Sequence, residues 1–219
     1  NLWGLYTSDD YSIESFKYGK DHIGEIAKRA NIIDNGLTIL DCGCGFGKII
    51  SELQKRFPSN KYSGITLNDS HVKRKQHENV RVGNFECLSD KDESVDRILF
   101  IESFNHAFNK QKVLKECFRV LKTGGILFIL DQCISNKSYN SPMIDINLRK
   151  LYKLHRDFYG AKPVSPEYIE RKAKKVGFLT RSIIENIPND ITTTKNQILK
   201  KMIIVEFLNT IYSECIFQK

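Results

Sequence analysis

The sequence lacks long apolar runs, and none approaches the roughly 20 residues that a membrane-spanning helix requires. It lacks any Cys-x-x-Cys pair. Its six cysteines stand scattered at 42, 44, 87, 117, 133 and 215, a spacing that suggests neither a zinc site nor a disulfide framework. Cys42 and Cys44, one residue apart, make a poor bite for one metal, so no metal is expected. Reduced thiols in a cytoplasmic protein are the simplest reading. No signal peptide is visible, and the chain begins at Asn1 rather than Met, which leaves room for a preceding piece. Internal repeats, low-complexity tracts and a clear second domain are missing too. The 219 residues suffice for one α/β domain with a sizeable core.

What is present in excess is positive charge, a formal net +8, so nucleic acid has to be weighed as a partner. The basic residues cluster at His71-Val-Lys-Arg-Lys-Gln-His77, at Arg149-Lys150 with Lys153 and Arg156, and at Arg171-Lys172 with Lys174 and Lys175. Each cluster falls in a stretch with helical apolar spacing, and a solvated helix face is the better account. The richness in Asn, Ile and Lys further weakens an argument from charge. No RNA-binding appendage is visible.

The most informative stretch is Leu37-Thr-Ile-Leu-Asp-Cys-Gly-Cys-Gly-Phe-Gly-Lys48. A short apolar strand runs into Asp41, then a glycine-rich turn, then an amphipathic helix. Gly43 and Gly45 permit positive φ and close backbone approach, and Gly47 lets the helix lie near the strand. The spacing G-x-G-x-G is neither the dinucleotide fingerprint nor a phosphate loop, and Ile49 stands where a phosphate loop needs Ser or Thr. A carboxylate before the loop suits a cation or an amine better than a diphosphate. A nucleoside-like ligand with a positive end fits that pattern.

Strands and helices alternate over the first two thirds. A helix is expected over 20–31, strands over Lys61–Leu67, Asn79–Gly83, Ser94–Ile101 and Ile126–Leu130, and helices over 48–56, 69–77 and Lys110–Leu121. The last of these helices should stop on a glycine cap at Lys122-Thr-Gly-Gly125. Right-handed βαβ units and one mostly parallel sheet follow. Residues 133–160 are polar and aromatic, and Ser165-Pro-Glu-Tyr168 starts a helix that ends at Gly177. Thr210–Phe217 reads as a final antiparallel strand at the sheet edge.

The Asp41–Gly47 loop resembles motif I of the class I S-adenosylmethionine-dependent methyltransferases. Gly64-Ile-Thr-Leu67 at the end of the second strand is similar to the sterol, tocopherol and cyclopropane-fatty-acid branch of that family. Arg119-Val-Leu-Lys-Thr-Gly-Gly-Ile-Leu127 is close to the family's R-V-L-K-P-G-G-x-L, with Thr123 in place of Pro. These matches cover about residues 36–131. The resemblance implies a Rossmann-like, doubly wound, seven-stranded, mostly parallel α/β sheet with an antiparallel edge strand and a helical lid insertion. One domain is expected: a cover and helix over 1–35, the cofactor core over 36–131, the lid over 132–176 and the C-terminal edge of the sheet over 177–219.

The implied cofactor is S-adenosylmethionine, with S-adenosylhomocysteine as product. By resemblance, Asp41 lies near its methionine end, and Gly43, Cys44, Gly45 and Gly47 form the loop against its methionine and ribose parts. Thr66 and Leu67 lie beside the ribose, and His71 stands where the branch usually has Gln. Asn84 can accept from the adenine amine and Phe85 can cover the ring. Ile101 ends the fourth strand at the cofactor, and Tyr6 belongs to an N-terminal segment similar to the Tyr-rich opening of cyclopropane synthases.

Glu102 and His106 follow strand 4 at the carboxyl ends of the strands, where a spacing of four can bring them together on a helical turn. His106 is the candidate base, oriented by Glu102. Alternatively, Glu102 caps the following helix or organises the cofactor loop. The acceptor is expected to be a small apolar or aromatic molecule beneath the N-terminal segment and the insertion, although packing on the sheet explains the insertion's aromatics equally well. No Asn-Pro-Pro-Tyr follows strand 4, which argues against amino methylation of a nucleobase by that route. The rivals are an RNA methyltransferase that uses the basic helices and a non-catalytic S-adenosylmethionine-binding module. A monomer or a homodimer is expected.

Overall fold

A computed structural model describes residues 21–134, 153, 160–186 and 210–219. In chain order it contains α1 (His22–Arg29), β1 (Thr38–Cys42), α2 (Lys48–Arg56), β2 (Lys61–Thr66), α3 (Asp69–Lys73), β3 (Val80–Val82) and β4 (Val95–Ile101). A 3₁₀ turn (Phe104–His106), α4 (Lys110–Val120), β5 (Leu121–Ile134), α5 (Pro166–Val176), β6 (Leu179–Asn186) and β7 (Thr210–Gln218) complete it.

One seven-stranded sheet runs β3-β2-β1-β4-β5-β7-β6. The first five strands in that order are mutually parallel, and β7 is antiparallel to both neighbours. The seven-stranded, mostly parallel α/β class is therefore borne out. Along the central strands, alternate residues serve opposite faces. Leu40, Ile98, Phe100, Leu127 and Ile129 join Val113, Leu114 and Cys117 of α4 and Ile169 and Ala173 of α5. Ile39, Leu99, Phe128 and Leu130 join Ile23 and Ile26 of α1 and Ile50 and Leu53 of α2. Helices on both faces explain why these strands read as continuous apolar runs.

Three local expectations differ. β7 is not outermost: it lies between β5 and β6, and β6 forms the edge. Cys215, Ile216 and Phe217 are consecutive and all buried, which requires cover on both faces and hence an interior strand. The helix before β5 does not end on a glycine cap. Leu121 is already extended and pairs with Val95, and the next pair is Arg97 with Ile126, so Lys122–Gly125 form a bulge with Gly124 at φ 80°. Lastly, α5 falls within the span expected for the lid, yet Ile169 and Ala173 belong to the sheet's own core. Residues 135–152 and 154–159 of the expected lid and the 1–20 segment, including Tyr6, lie outside the described residues.

Loop ends are pinned by side chains. Asn68, Asn109 and Ser165 accept from the backbone N–H of Ser70, Lys112 and Tyr168 and so cap α3, α4 and α5. Arg119, in the R-V-L-K stretch, donates to Leu88 O (2.9 Å), Asp90 O (2.9 Å) and Glu116 (2.8 Å), which anchors the loop before β4. That accounts for the motif as a structural one.

Candidate functional site

The parallel strands β1 to β5 present their carboxyl ends on one side, and the strand order reverses between β1 and β4. Such a switch point opens a crevice. Asp41 sits at its floor, 2% exposed, paired in register with Gly64 of β2 and Leu99 of β4. Gly43 N and Cys44 N both donate to Ile65 O, at 2.8 and 3.0 Å, and so fold the loop back on β2. Gly43 adopts φ 84°, and a Cβ there would collide with the Ser103 side chain. Gly45 has φ 55°, and a Cβ there would meet nothing within 4 Å. The first glycine is thus demanded by the protein, whereas the second leaves open space against bare backbone. Gly47 caps α2 in the left-handed region. Burial, with the Asp41 charge adding to it, pushes the Cys44 thiol up to about 12, so it stays protonated and is no nucleophile.

A second wall rises from β2. Thr66 Oγ1 is 3.2 Å from His71 Nδ1, and Asn68 Nδ2 is 3.3 Å from His71 Nε2. With Asn68 donating, His71 is the Nδ1–H tautomer. Its ring lies 4.6 Å from that of Phe46, over which the Arg74 guanidinium sits at 5.3 Å. Burial, and after it Arg74, lowers the His71 pKa, so the ring is neutral at pH 7. Leu67 is 66% exposed beside this cluster. Thr66, Leu67 and His71 are therefore together, as the sequence suggests, and Phe46 joins them unforeseen.

The loop after β3 divides the two adenine candidates. Asn84 is exposed and its Oδ1 accepts from Glu86 N at 2.8 Å. Phe85 is buried, edge-on to Phe100 at a centroid distance of 5.4 Å. The core claims most of that ring, because an aromatic partner within β4 buries it fully. Glu86 Oε1 accepts from Phe108 N (2.6 Å) and Asn109 N (2.9 Å), tying this loop to the start of α4.

Beyond β4, Ile101 is buried and Glu102 is held at φ 55°, its N–H bonded to Leu130 O at 2.8 Å. A left-handed glutamate is strained, and strain at a strand end marks a constrained site. The turn begins only at Phe104, with Ser103 as its cap, so Glu102 lies outside it and does not share a helical face with His106. The positive φ at Glu102 reverses the chain and breaks the expected spacing. His106 is exposed on that turn. Sequence reasoning missed four buried groups beneath the loop: Ser103, Asn105, Asp131 and Lys110. Asp131 is legible as an acid ending strand 5. Lys110 reads as helix surface.

The middle basic cluster lies outside the described residues except for Lys153. Of the first cluster, His77 is buried and Arg74 stacks on Phe46. Among the described residues no group of His, Cys, Asp and Glu is arranged to hold a metal ion, and no helix is long and apolar enough to cross a membrane.

Residues 40–129 match the family model described as a methyltransferase domain. Squalene methyltransferase 1 of Botryococcus braunii is 34% identical over 115 residues, which is 48% of this chain and 30% of that protein. (S)-Coclaurine N-methyltransferase of Papaver somniferum is 26% identical over 153 residues, 65% of this chain and 42% of that protein. The chain spans less than half the length of the curated relatives it matches. Among solved structures, geranyl diphosphate C-methyltransferase from Streptomyces coelicolor A3(2), in complex with Mg2+, geranyl diphosphate and S-adenosyl-L-homocysteine, superposes with a TM-score of 0.72 at 16% identity. That superposition covers 97% of this chain and 86% of that one. The resemblance to the S-adenosylmethionine-dependent methyltransferases is thereby borne out over the core, and so is the fold of the described residues.

Proposed function

We propose that this methyltransferase domain transfers the methyl group of S-adenosylmethionine to a small-molecule acceptor in the cytoplasm. The observation that carries the reading is the loop after β1: a buried carboxylate at Asp41 and open space over the Gly45 backbone, faced by the Thr66–His71 cluster. These residues fit the cofactor. Asp41 suits its ammonium group, the Gly43–Gly47 backbone its methionine and ribose parts, and Thr66, Leu67 and neutral His71 its ribose. Asn84 retains a lone pair for the adenine amine, Phe85 offers at most a ring edge, and Ile101 forms the apolar floor.

When bound, S-adenosylmethionine supplies a methyl group on a sulfonium, a good leaving group, so alignment of the acceptor supplies much of the rate. The exposed His106 takes a proton from an acceptor O–H or N–H, and Glu102, from the strand end before the turn rather than from a shared helical face, orients it. Phe108, 83% exposed with the Lys162 ammonium 4.6 Å over its ring, adds an apolar surface beside that turn. Relatives named for squalene, coclaurine and geranyl diphosphate support an acceptor with an extended apolar or aromatic skeleton.

Calorimetry with S-adenosylhomocysteine, followed by radiolabelled methyl transfer to squalene, coclaurine, geranyl diphosphate and bulk tRNA, tests this. Binding together with labelling of a small molecule is expected. Absence of binding sinks the cofactor assignment. Salt-dependent labelling of tRNA alone would favour an RNA methyltransferase.

A further inference from the structure

Lys110 is in the wrong place for stability. It is 6% exposed, and it is the first residue of α4, where the helix dipole disfavours a cation. Burial pushes its pKa down to about 8, against the opposing pull of Asp131. Taking a lysine out of water costs free energy that its contacts have to offset. Its contacts show what it does instead. Lys110 Nζ donates to Asn105 O at 3.3 Å and to Ala107 O at 3.1 Å. Those two carbonyls flank one residue, His106.

The opposite side of the turn is held as tightly. The Asp131 carboxylate accepts from Asn105 N at 2.9 Å and from Asn105 Nδ2 at 2.7 Å. Asn105 O also accepts from Lys162 N at 2.8 Å. Asn105 and Asp131 are each 4% exposed. Ser103 Oγ, just before the turn, donates to Cys42 O at 2.5 Å. Buried polar contacts thus fix the backbone on either side of His106, and the residue before the turn, Ser103, is tied separately to Cys42 at the end of β1.

We propose that Asp131, Asn105 and Lys110 are positioning residues, a clamp that sets the His106 turn against the glycine loop for methyl transfer. None of the three touches the reacting atoms. The inference rests on the methyl-transfer reading for its purpose, but not for its geometry.

Asp131→Asn is the sharpest probe. Whichever way the two side-chain amides are turned, at least one of the two Asn105 donors loses its carboxylate partner. The double variant, Asn105→Asp combined with Asp131→Asn, restores both bonds. The amide introduced at position 131 then accepts from the backbone N–H and donates to the carboxylate introduced at position 105. Hydrogen exchange at the amides of 105–107 should quicken about ten- to a hundredfold in the single variant, the effect of orphaning one buried donor, and return in the double. With whichever acceptor the wild type methylates, kcat should fall in parallel and recover in the double, while S-adenosylhomocysteine affinity stays within about twofold, since no cofactor contact changes. Lys110→Met supplies an independent arm: it removes both carbonyl bonds and leaves the Asp131 charge uncompensated, so the thermal midpoint should fall while exchange quickens most in the turn. Unchanged exchange at 105–107 in both single variants overturns the clamp. So does a folded double variant that fails to recover, or a Lys110→Met protein whose exchange quickens equally throughout the core rather than in the turn. Should no acceptor be methylated, the exchange measurements still decide the clamp, and only the methyl-transfer reading fails.

Discussion

The Ser103 hydroxyl donates to the Cys42 carbonyl at 2.5 Å, joining the loop after β4 to the glycine loop after β1 across the point where the strand order reverses. The same serine lies where a Gly43 side chain would have to be. Gly43 is therefore constrained twice, by φ 84° and by Ser103. Gly43→Ala should lower stability by about 1–3 kcal/mol from backbone strain, and the displaced loop should lose S-adenosylhomocysteine affinity. Adding Ser103→Gly should remove the collision but leave the strain, so recovery is partial. Thermal melts and calorimetry on the three proteins check this, and a Gly43→Ala protein with wild-type melting and affinity would refute the double constraint.

Asp41 is the group assigned to the cofactor's ammonium end. Asp41→Ala should weaken S-adenosylhomocysteine binding about ten- to a hundredfold, the loss of a charge-assisted hydrogen bond. Adenosine, which has no ammonium group, should bind the variant and the wild type alike. Equal losses for both ligands would mean that Asp41 shapes the loop rather than holding the amine.

Much of this site is legible in the sequence because local pattern and topology agree. Apolar runs ending in Asp41, Thr66 and Ile101 are buried strands of one parallel sheet, and such strands deliver their ends to one crevice. What escapes are choices made by tertiary packing. Phe85 has the right position for an adenine, yet Phe100 across the core takes its edge. Lys110 opens an amphipathic helix and reads as solvent-facing, because its carbonyl partners lie outside the helix it begins. Glu102 and His106 have helical spacing, but the left-handed backbone at Glu102 leaves it outside the turn that carries His106, and no pattern of residue types encodes a positive φ at glutamate. β7 reads as an edge strand because nothing in the chain's pattern shows that β6 folds outside it.

The strain at Glu102 can be separated from its chemistry. Glu102→Gly relieves a left-handed backbone and should raise stability by about 1 kcal/mol. If the carboxylate orients His106, turnover should nevertheless fall. Higher stability with lower kcat is the expected pair in urea melts and steady-state kinetics. A variant that gains stability and keeps full turnover would remove Glu102 from the chemistry.

His106→Ala tests the base directly. Removal of a positioned general base should lower kcat about a hundredfold or more for an O–H or N–H acceptor, with S-adenosylhomocysteine affinity unchanged. A carbon acceptor that needs no proton removal before attack would show a smaller loss, so the size of the effect also reports which atom is methylated. Full activity on an O–H acceptor would exclude His106 as base.

The acid side of the stability profile should be set partly by His77. It is 5% exposed, its Nε2 is 2.8 Å from Gln54 Oε1, and its Nδ1 accepts from Asn79 N at 3.2 Å. Nε2 therefore carries the proton in the neutral ring, and protonation of Nδ1 would break the bond to Asn79. Burial lowers the pKa from 6.5, with Lys75 adding to the effect and Glu78 opposing it. His71 shifts the same way, through burial and Arg74. For both, the folded value lies below the unfolded one, so the unfolded chain binds protons first as the pH drops. Stability is then fully retained above about 6.5, and it declines as the pH falls through 6.5 towards the lowered folded values. Urea midpoints between about pH 7.5 and 5 should fall accordingly, and His77→Gln should flatten the slope. The imidazole proton resonances of both histidines should titrate below 6.5. A His77 resonance that titrates above that value, with urea midpoints that do not fall as the pH is lowered, would overturn this account, because the fold would then stabilise the charged ring despite the loss of the Asn79 bond.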